Sequence, residues 1–166
     1  MAVKTQHQRH NGETTAARPE LQLEHLQVRH LMSTTPVTIS PEASVREAER
    51  LMQRTQANPL VVVRDGQLMG LLTDLDVQTV LPSPATSFSK GELLYLLEKL
   101  AVRQAMTSDV VTVTPDCSVS EAVRLMLAHR IGALPVLEAR QVVGILHQRD
   151  ILQALFGTQV DEQAAA

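Results

Sequence analysis

The feature that most constrains this chain is that it repeats itself. Val28 over Val102 is an offset of 74, since 102 minus 28 is 74, and the register holds without a gap to Asp76 over Asp150. About nineteen of the forty-nine aligned pairs are identical, among them Met32/Met106, Pro41/Pro115, Val45/Val119, Gly70/Gly144 and Asp76/Asp150. Chance would leave only a few. A segment duplicated at this length should be built twice with one local fold, and two such units bury most surface by packing on each other about a pseudo-twofold axis.

Each unit reads in the same order. Pro36-Val37-Thr38-Ile39 and Val110-Val111-Thr112-Val113 are short extended segments closed by Pro41 and Pro115, which cannot donate to a ladder and commonly end a strand. Ser44-Val45-Arg46-Glu47 and Ser118-Val119-Ser120-Glu121 are capping boxes, so a helix begins at each. Val45, Ala48, Leu51 and Met52, with Val119, Ala122, Leu125 and Met126 in the second unit, recur at helical spacing and form the buried face. Leu60–Val63 and Leu68–Leu72 flank Asp65-Gly66, a strong hairpin signal because Gly tolerates positive φ. The second hairpin turns at Ala139-Arg140, where the turn chemistry is weaker and the repeat carries the assignment. Each unit closes on Gly-aliphatic-aliphatic-x-x-x-Asp, Gly70–Asp76 and Gly144–Asp150, predicting a strand that runs into a helix over Leu75–Leu81 or Ile151–Phe156.

Outside the units, residues 1–20 are polar and aperiodic and are expected to form a flexible tail, as are residues 157–166. Glu20–Met32 is expected to be a helix leading into the first unit, which spans 21–81. Residues 82–101 are expected to link the units, as a Pro/Ser loop followed by a helix capped by Ser89-Lys90-Gly91-Glu92. The second unit spans 102–156.

Composition excludes several functions. Only 2% of residues are aromatic and the net charge is −3, which leaves neither stacking platforms nor a basic face for nucleic acid. No segment approaches the roughly 18 apolar residues of a membrane span, and the N-terminus is too polar for a secretory signal. The single Cys117 rules out an intrachain disulfide and a multi-cysteine metal cage. His7 and His10 sit where no stable helix is expected, so metal binding there is not favoured. A protein of the reducing cytoplasm is expected.

A β-α-β-β-α unit given twice, opening near Met-Thr/Ser and ending in Gly-aliphatic-aliphatic-Thr-x-x-Asp, resembles the cystathionine-β-synthase (CBS) domain, and two such units make a Bateman module. The resemblance covers about residues 28–156. It implies an α+β fold of two three-stranded sheets packed together with helices outside and two clefts between the units. It further implies a homodimer and an adenosine-derived ligand: AMP, ADP or ATP, with S-adenosylmethionine less favoured. No cofactor is implied to be required.

Carried over residue by residue, the first cleft would use Asp76 for the ribose hydroxyls and Thr73 for a phosphate. Thr34, Thr35, Pro36, Ala57, Asn58 and Pro59 would line it. The second would use Asp150, with Ser108, Asp109, Val110, Ile131, Gly132 and Ala133 around the base. Leu71 and Ile145 would pack on the purine or ribose. A carboxylate can accept two hydrogen bonds from a vicinal diol, and an apolar slot with backbone donors suits adenine. Two places depart from the pattern. His147 stands where Thr or Ser is usual, and Asn58-Pro59-Leu60-Val61 replaces the small-Leu-Pro-Val order that Ala133-Leu134-Pro135-Val136 keeps.

A plainer reading stands beside this one. Thr73 can be a simple N-cap, worth about 1 kcal/mol, and an acidic residue in a helix's first turn is stabilising anyway. Arg54, Arg64, Arg130 and Arg149 could meet a phosphate, but each reads more simply as a solvated surface charge. Phosphate-binding glycine loops, H-E-x-x-H and a base paired with Cys117 are all missing from the sequence. The expectation is therefore a regulatory module that signals to a separate effector, the alternative being a constitutive dimerisation scaffold with empty clefts.

Overall fold

A computed structural model of the chain describes residues 25–80 and 89–157. The tail expected at 1–20, the loop at 82–87 and the tail after Gly157 lie outside the described residues. The fold is of the expected α+β class. In the first, strand β1 (Thr38–Ile39) is followed by helix α1 (Val45–Thr55), the hairpin β2 (Leu60–Arg64) and β3 (Gln67–Leu72), and helix α2 (Asp74–Thr79). Helix α3 (Lys90–Lys99) comes next, and the second unit then contributes α4 (Val119–His129), β4 (Ala133–Glu138), β5 (Gln141–His147) and α5 (Gln148–Phe156). No helix among the described residues is long and apolar enough to cross a membrane.

The capping boxes start the helices. Ser44 Oγ accepts from the Glu47 amide at 3.1 Å while Glu47 Oε2 accepts from the Ser44 amide at 2.8 Å, so two orphan donors are satisfied reciprocally. Ser118 accepts from the Glu121 amide at 3.1 Å, and Ser89 and Glu92 make the box that starts α3. Helices α1 and α4 end on Gln56 and Arg130, both left-handed at φ +56° and +55°. The faces read from the sequence turn inward: Val45, Ala48 and Met52 are buried on α1, and Val119, Ala122 and Met126 on α4.

Two expectations are corrected by the strands. Hydrogen bonding forms one five-stranded sheet in the order β1-β2-β3-β5-β4 rather than two separate sheets, the halves joining where Gln67 pairs with Gln141. The segment Val110–Val113, expected to be a strand, makes a single bridge, Val113 to Val136. Proline is the reason. In the first unit the Val61 amide donates to Val37 O at 3.0 Å, and the equivalent position in the second unit is Pro135, which has no N–H to donate to Val111.

The lead-in to each unit docks on the other unit. Val28 and Arg29 donate to Cys117 O and Pro115 O at 2.9 and 3.0 Å, and 74 residues later Val102 and Arg103 donate to Ala43 O and Pro41 O at 2.8 and 3.0 Å. Val28 is therefore buried in the core of the second unit and Val102 in that of the first. This also corrects the helix expected over Glu20–Met32. Its described part holds only a 3-10 turn, Val28–His30, because the amides of Val28 and Arg29 are spent on the other unit rather than on the preceding turn. Residues 20–24 lie outside the described residues.

A third cluster, Val61, Ala133 and Ile145 with Leu68, Leu71 and Val142 against it, packs along the seam between the units. There the backbones touch. Leu71 and Thr107 exchange two hydrogen bonds of 2.9 Å, and Ile145 and Ser33 exchange bonds of 3.0 and 2.9 Å, a matched pair under the offset of 74. This close approach explains the repeated glycine. A Cβ on Gly70 would stand 2.6 Å from Thr107 O, and one on Gly144 would stand 2.7 Å from Ser33 O.

Candidate functional site

Where β3 meets α2, Thr73 is the N-cap. Its hydroxyl accepts from the Asp76 amide at 3.1 Å and donates to Asp76 Oδ2 at 2.7 Å, and the Thr73 amide donates to the same oxygen at 2.8 Å. The two bonds to the carboxylate both fall on Oδ2, so the box does not use Asp76 Oδ1. The plainer reading of this pair as a cap is thus realised, and one carboxylate oxygen is still in reserve. Asn58, in the loop before β2, braces the junction: its Nδ2 donates to Asp74 Oδ1 at 2.6 Å, which also accepts from the Leu75 amide at 2.9 Å.

This junction forms one wall of a cleft of about 580 Å³ between the units. The first unit contributes Asn58, Pro59, Leu71, Thr73 and Asp76, and the second contributes Asp109, Val110, Ile131, Gly132 and Ala133. Residues read from the sequence as belonging to two clefts therefore meet in one. The grouping is corrected by the seam: the bridge Leu71–Thr107 brings the loop before the second unit's first segment up to Asp76, while Ser33–Ile145 carries Thr34, Thr35 and Pro36 to the second unit's closing motif. Ala57 and Ser108 are not part of the cleft wall.

Sequence reasoning missed Asp74, Leu75, Thr107, Val111 and His129, all of which line the cleft, and treated Arg130 as a surface charge. His129 and Arg130 stand at the C-terminal end of α4, which opens onto the cleft, a placement that only the tertiary arrangement reveals. Thr107 had no such signal, because only the seam shows which residue opposes the repeated glycine.

The second motif is built differently. His147 is the N-cap of α5, but its side chain does not cap the helix; Asp150 Oδ2 accepts from the His147 amide at 2.8 Å and lies 3.4 Å from Nδ1. Burial lowers the His147 pKa from its ordinary value, Asp150 opposes the shift, and Arg149 adds to it, so the neutral imidazole is favoured. Arg149 Nε stands 3.8 Å from Asp150 Oδ1. Both oxygens of Asp150 thus have partners, unlike those of Asp76.

Comparison with known proteins bears on this arrangement. The family model described as CBS domain matches residues 28–83 and 102–157. The chain is 28% identical over 124 residues to the CBS domain-containing protein YhcV of Bacillus subtilis, covering 75% of this chain and 81% of the relative. Some other relatives are much longer; the chain spans 21% of an inosine-5'-monophosphate dehydrogenase of Korarchaeum cryptofilum, at 33% identity over 69% of the chain. Among solved structures, the CBS domain pair of MJ0100 in complex with 5'-methylthioadenosine and S-adenosyl-L-methionine aligns at a TM-score of 0.64 and 25% identity, covering 80% of this chain and 97% of that one. CBSX2 in complex with AMP aligns at 0.68 with 24% identity, covering 80% and 98%, a likeness of fold.

Proposed function

The chain belongs to the CBS domain family, carrying two domains in tandem, and on that premise we propose that it is a regulatory module that binds an adenine nucleotide (AMP, ADP or ATP) between its units and signals to a separate effector protein. One observation carries this reading: the cleft wall joins Thr73 and Asp76 of one unit to Asp109, Val110 and Ile131 of the other. In this reading Asp76 Oδ1 takes the ribose hydroxyls and Thr73 faces the phosphate. The purine lies between Leu71, Val110, Ile131 and Ala133, apolar surface that also offers backbone groups. Asp150 and His147, with Ile145 and Thr34–Pro36, make up a second and more occupied counterpart. Relatives whose ligands are adenosine derivatives support this assignment.

A ligand held by both units stabilises whichever arrangement of the seam it fits better, and it can shift that equilibrium only by its differential affinity. The module is taken to work as a homodimer. Leu127 and Leu152, 73% and 46% exposed on α4 and α5, offer apolar surface for a second copy, which sedimentation equilibrium would test. It is taken to act in the cytoplasm, where half-buried Cys117, its thiol pKa raised by burial, stays protonated.

A constitutive scaffold has one observation in its favour: the Thr73–Asp76 box is complete without a ligand. Calorimetry and thermal melts with AMP, ADP, ATP and S-adenosylmethionine separate the two. A true ligand at one hundred times its dissociation constant stabilises by about 2.7 kcal/mol. The proposal is overturned by an unmoved melting temperature at millimolar ligand, with Asp76→Ala and Asp150→Ala indistinguishable from the parent in binding.

A further inference from the structure

The cleft carries an excess of negative charge. Asp74, Asp76 and Asp109 line it against one guanidinium, Arg130, and one imidazole, His129. Among the described residues none of these five side chains is in a salt bridge. The excess is peculiar to this side of the molecule. Under the offset of 74, Asp109 corresponds to Thr35 and Asp74 to Gln148, while Leu75, beside Asp76, corresponds to Arg149, which stands by Asp150.

Resting on the reading of this cleft as an adenosine site, we infer that it selects its ligand by charge, preferring adenosine and AMP to the polyphosphates ADP and ATP, with Asp109 as a specificity-determining residue. The purine and ribose can be held by neutral contacts and by one carboxylate oxygen, so every phosphate added beyond them meets the uncompensated field. Two unit charges about 7 Å apart in a water-like dielectric change an affinity by roughly threefold. With three carboxylates against one guanidinium, each further phosphate charge weakens binding by nearly tenfold at low salt, and the more distant phosphates feel less. ATP is therefore expected to bind on the order of thirtyfold more weakly than AMP. Because the charged groups face solvent, the gap closes to a few-fold at about 0.5 M salt, where the screening length is roughly 4 Å.

The test titrates the full chain with adenosine, AMP, ADP and ATP in the presence of EDTA, at low and high salt, following the amide resonances of Val110, Ile131 and Gly132, which report on this cleft. Affinities that fall along the series at low salt and converge at high salt support the inference. Asp109→Thr, which installs the residue found at the equivalent place in the first unit, should raise the ratio of ATP to adenosine affinity about tenfold, and isosteric Asp109→Asn should do the same. ATP binding as tightly as AMP at low salt, or an affinity ratio unmoved by both variants, overturns the inference and leaves the adenosine site standing. If none of the four ligands shifts these amides, the adenosine site falls and the inference with it.

Discussion

Alanine at Gly70 or Gly144 tests whether the units are held by backbone contact across the seam. Neither glycine has a positive φ, so conformation alone would admit alanine. Space does not. The new Cβ at Gly70 would lie 2.6 Å from Thr107 O and 2.9 Å from Met106 Sδ, and at Gly144 2.7 Å from Ser33 O and 2.9 Å from Met32 Sδ. A methionine side chain can turn aside, but a carbonyl within a hydrogen-bonded pair cannot, so the strands must part by several tenths of an ångström. That stretches the two 2.9 Å bonds between Leu71 and Thr107. Losing two such bonds costs about 2 kcal/mol and overpacking about 1–3, while the stiffer unfolded chain returns about 0.4–1. Each variant should lose about 2–5 kcal/mol, a fall of roughly 6–15 °C in melting temperature. Gly132→Ala is the control, because a Cβ there has no atom within 4 Å and the residue has no positive φ. Scanning calorimetry of all three variants decides the matter. A loss under about 0.5 kcal/mol at both Gly70 and Gly144, on the scale of an ordinary surface substitution, would refute the argument.

Two further perturbations follow from asymmetries between the units. His147→Thr supplies the side-chain cap that Thr73 makes in the first unit and should stabilise by about 1 kcal/mol at neutral pH. Because the folded state lowers the pKa of His147, the unfolded chain takes up that proton first, so the parent should lose stability as pH falls below the ordinary value near 6.5. Urea melts between pH 7.5 and 5 should show that component in the parent and not in the variant; equal slopes would disprove it. The turn Ala139-Arg140 adopts φ +48° and +68°, close to the +52° and +77° of Asp65-Gly66, without residues suited to that region. The double change Ala139→Asn with Arg140→Gly should gain about 1 kcal/mol and raise the urea midpoint by about 0.5 M, and an unchanged midpoint would show that the turn is not strained.

Much of the local structure was legible because it depends on neighbours in the chain. Ser44 with Glu47 and Ser118 with Glu121 start helices wherever they occur, and Val45, Ala48 and Met52 turn inward because their spacing matches the helical period. The strand expected over Val110–Val113 was misread for the same local reason: Pro135, whose missing amide is a property of one residue, was not weighed against it. The weak turn at Ala139-Arg140 was assigned from the repeat alone, and the hairpin forms there with the geometry of its partner.

By itself the sequence determined the duplication, the order of elements within each unit, and the Thr73–Asp76 and His147–Asp150 junctions as the places where chemistry could sit. Tertiary structure decided which residues face one another across the seam. The pairing of Leu71 with Thr107 sets Asp109 opposite Asp76, not beside Asp150, and the end of α4 brings Arg130 and His129 to the same cleft. The difference is physical. Caps, turns and helical faces arise from interactions within a few residues of the chain, and the repeat shows them twice. The cleft arises from hydrogen bonds between residues 36 positions apart, and an offset of 74 in the alignment cannot say which unit's loop is exchanged onto which unit's motif.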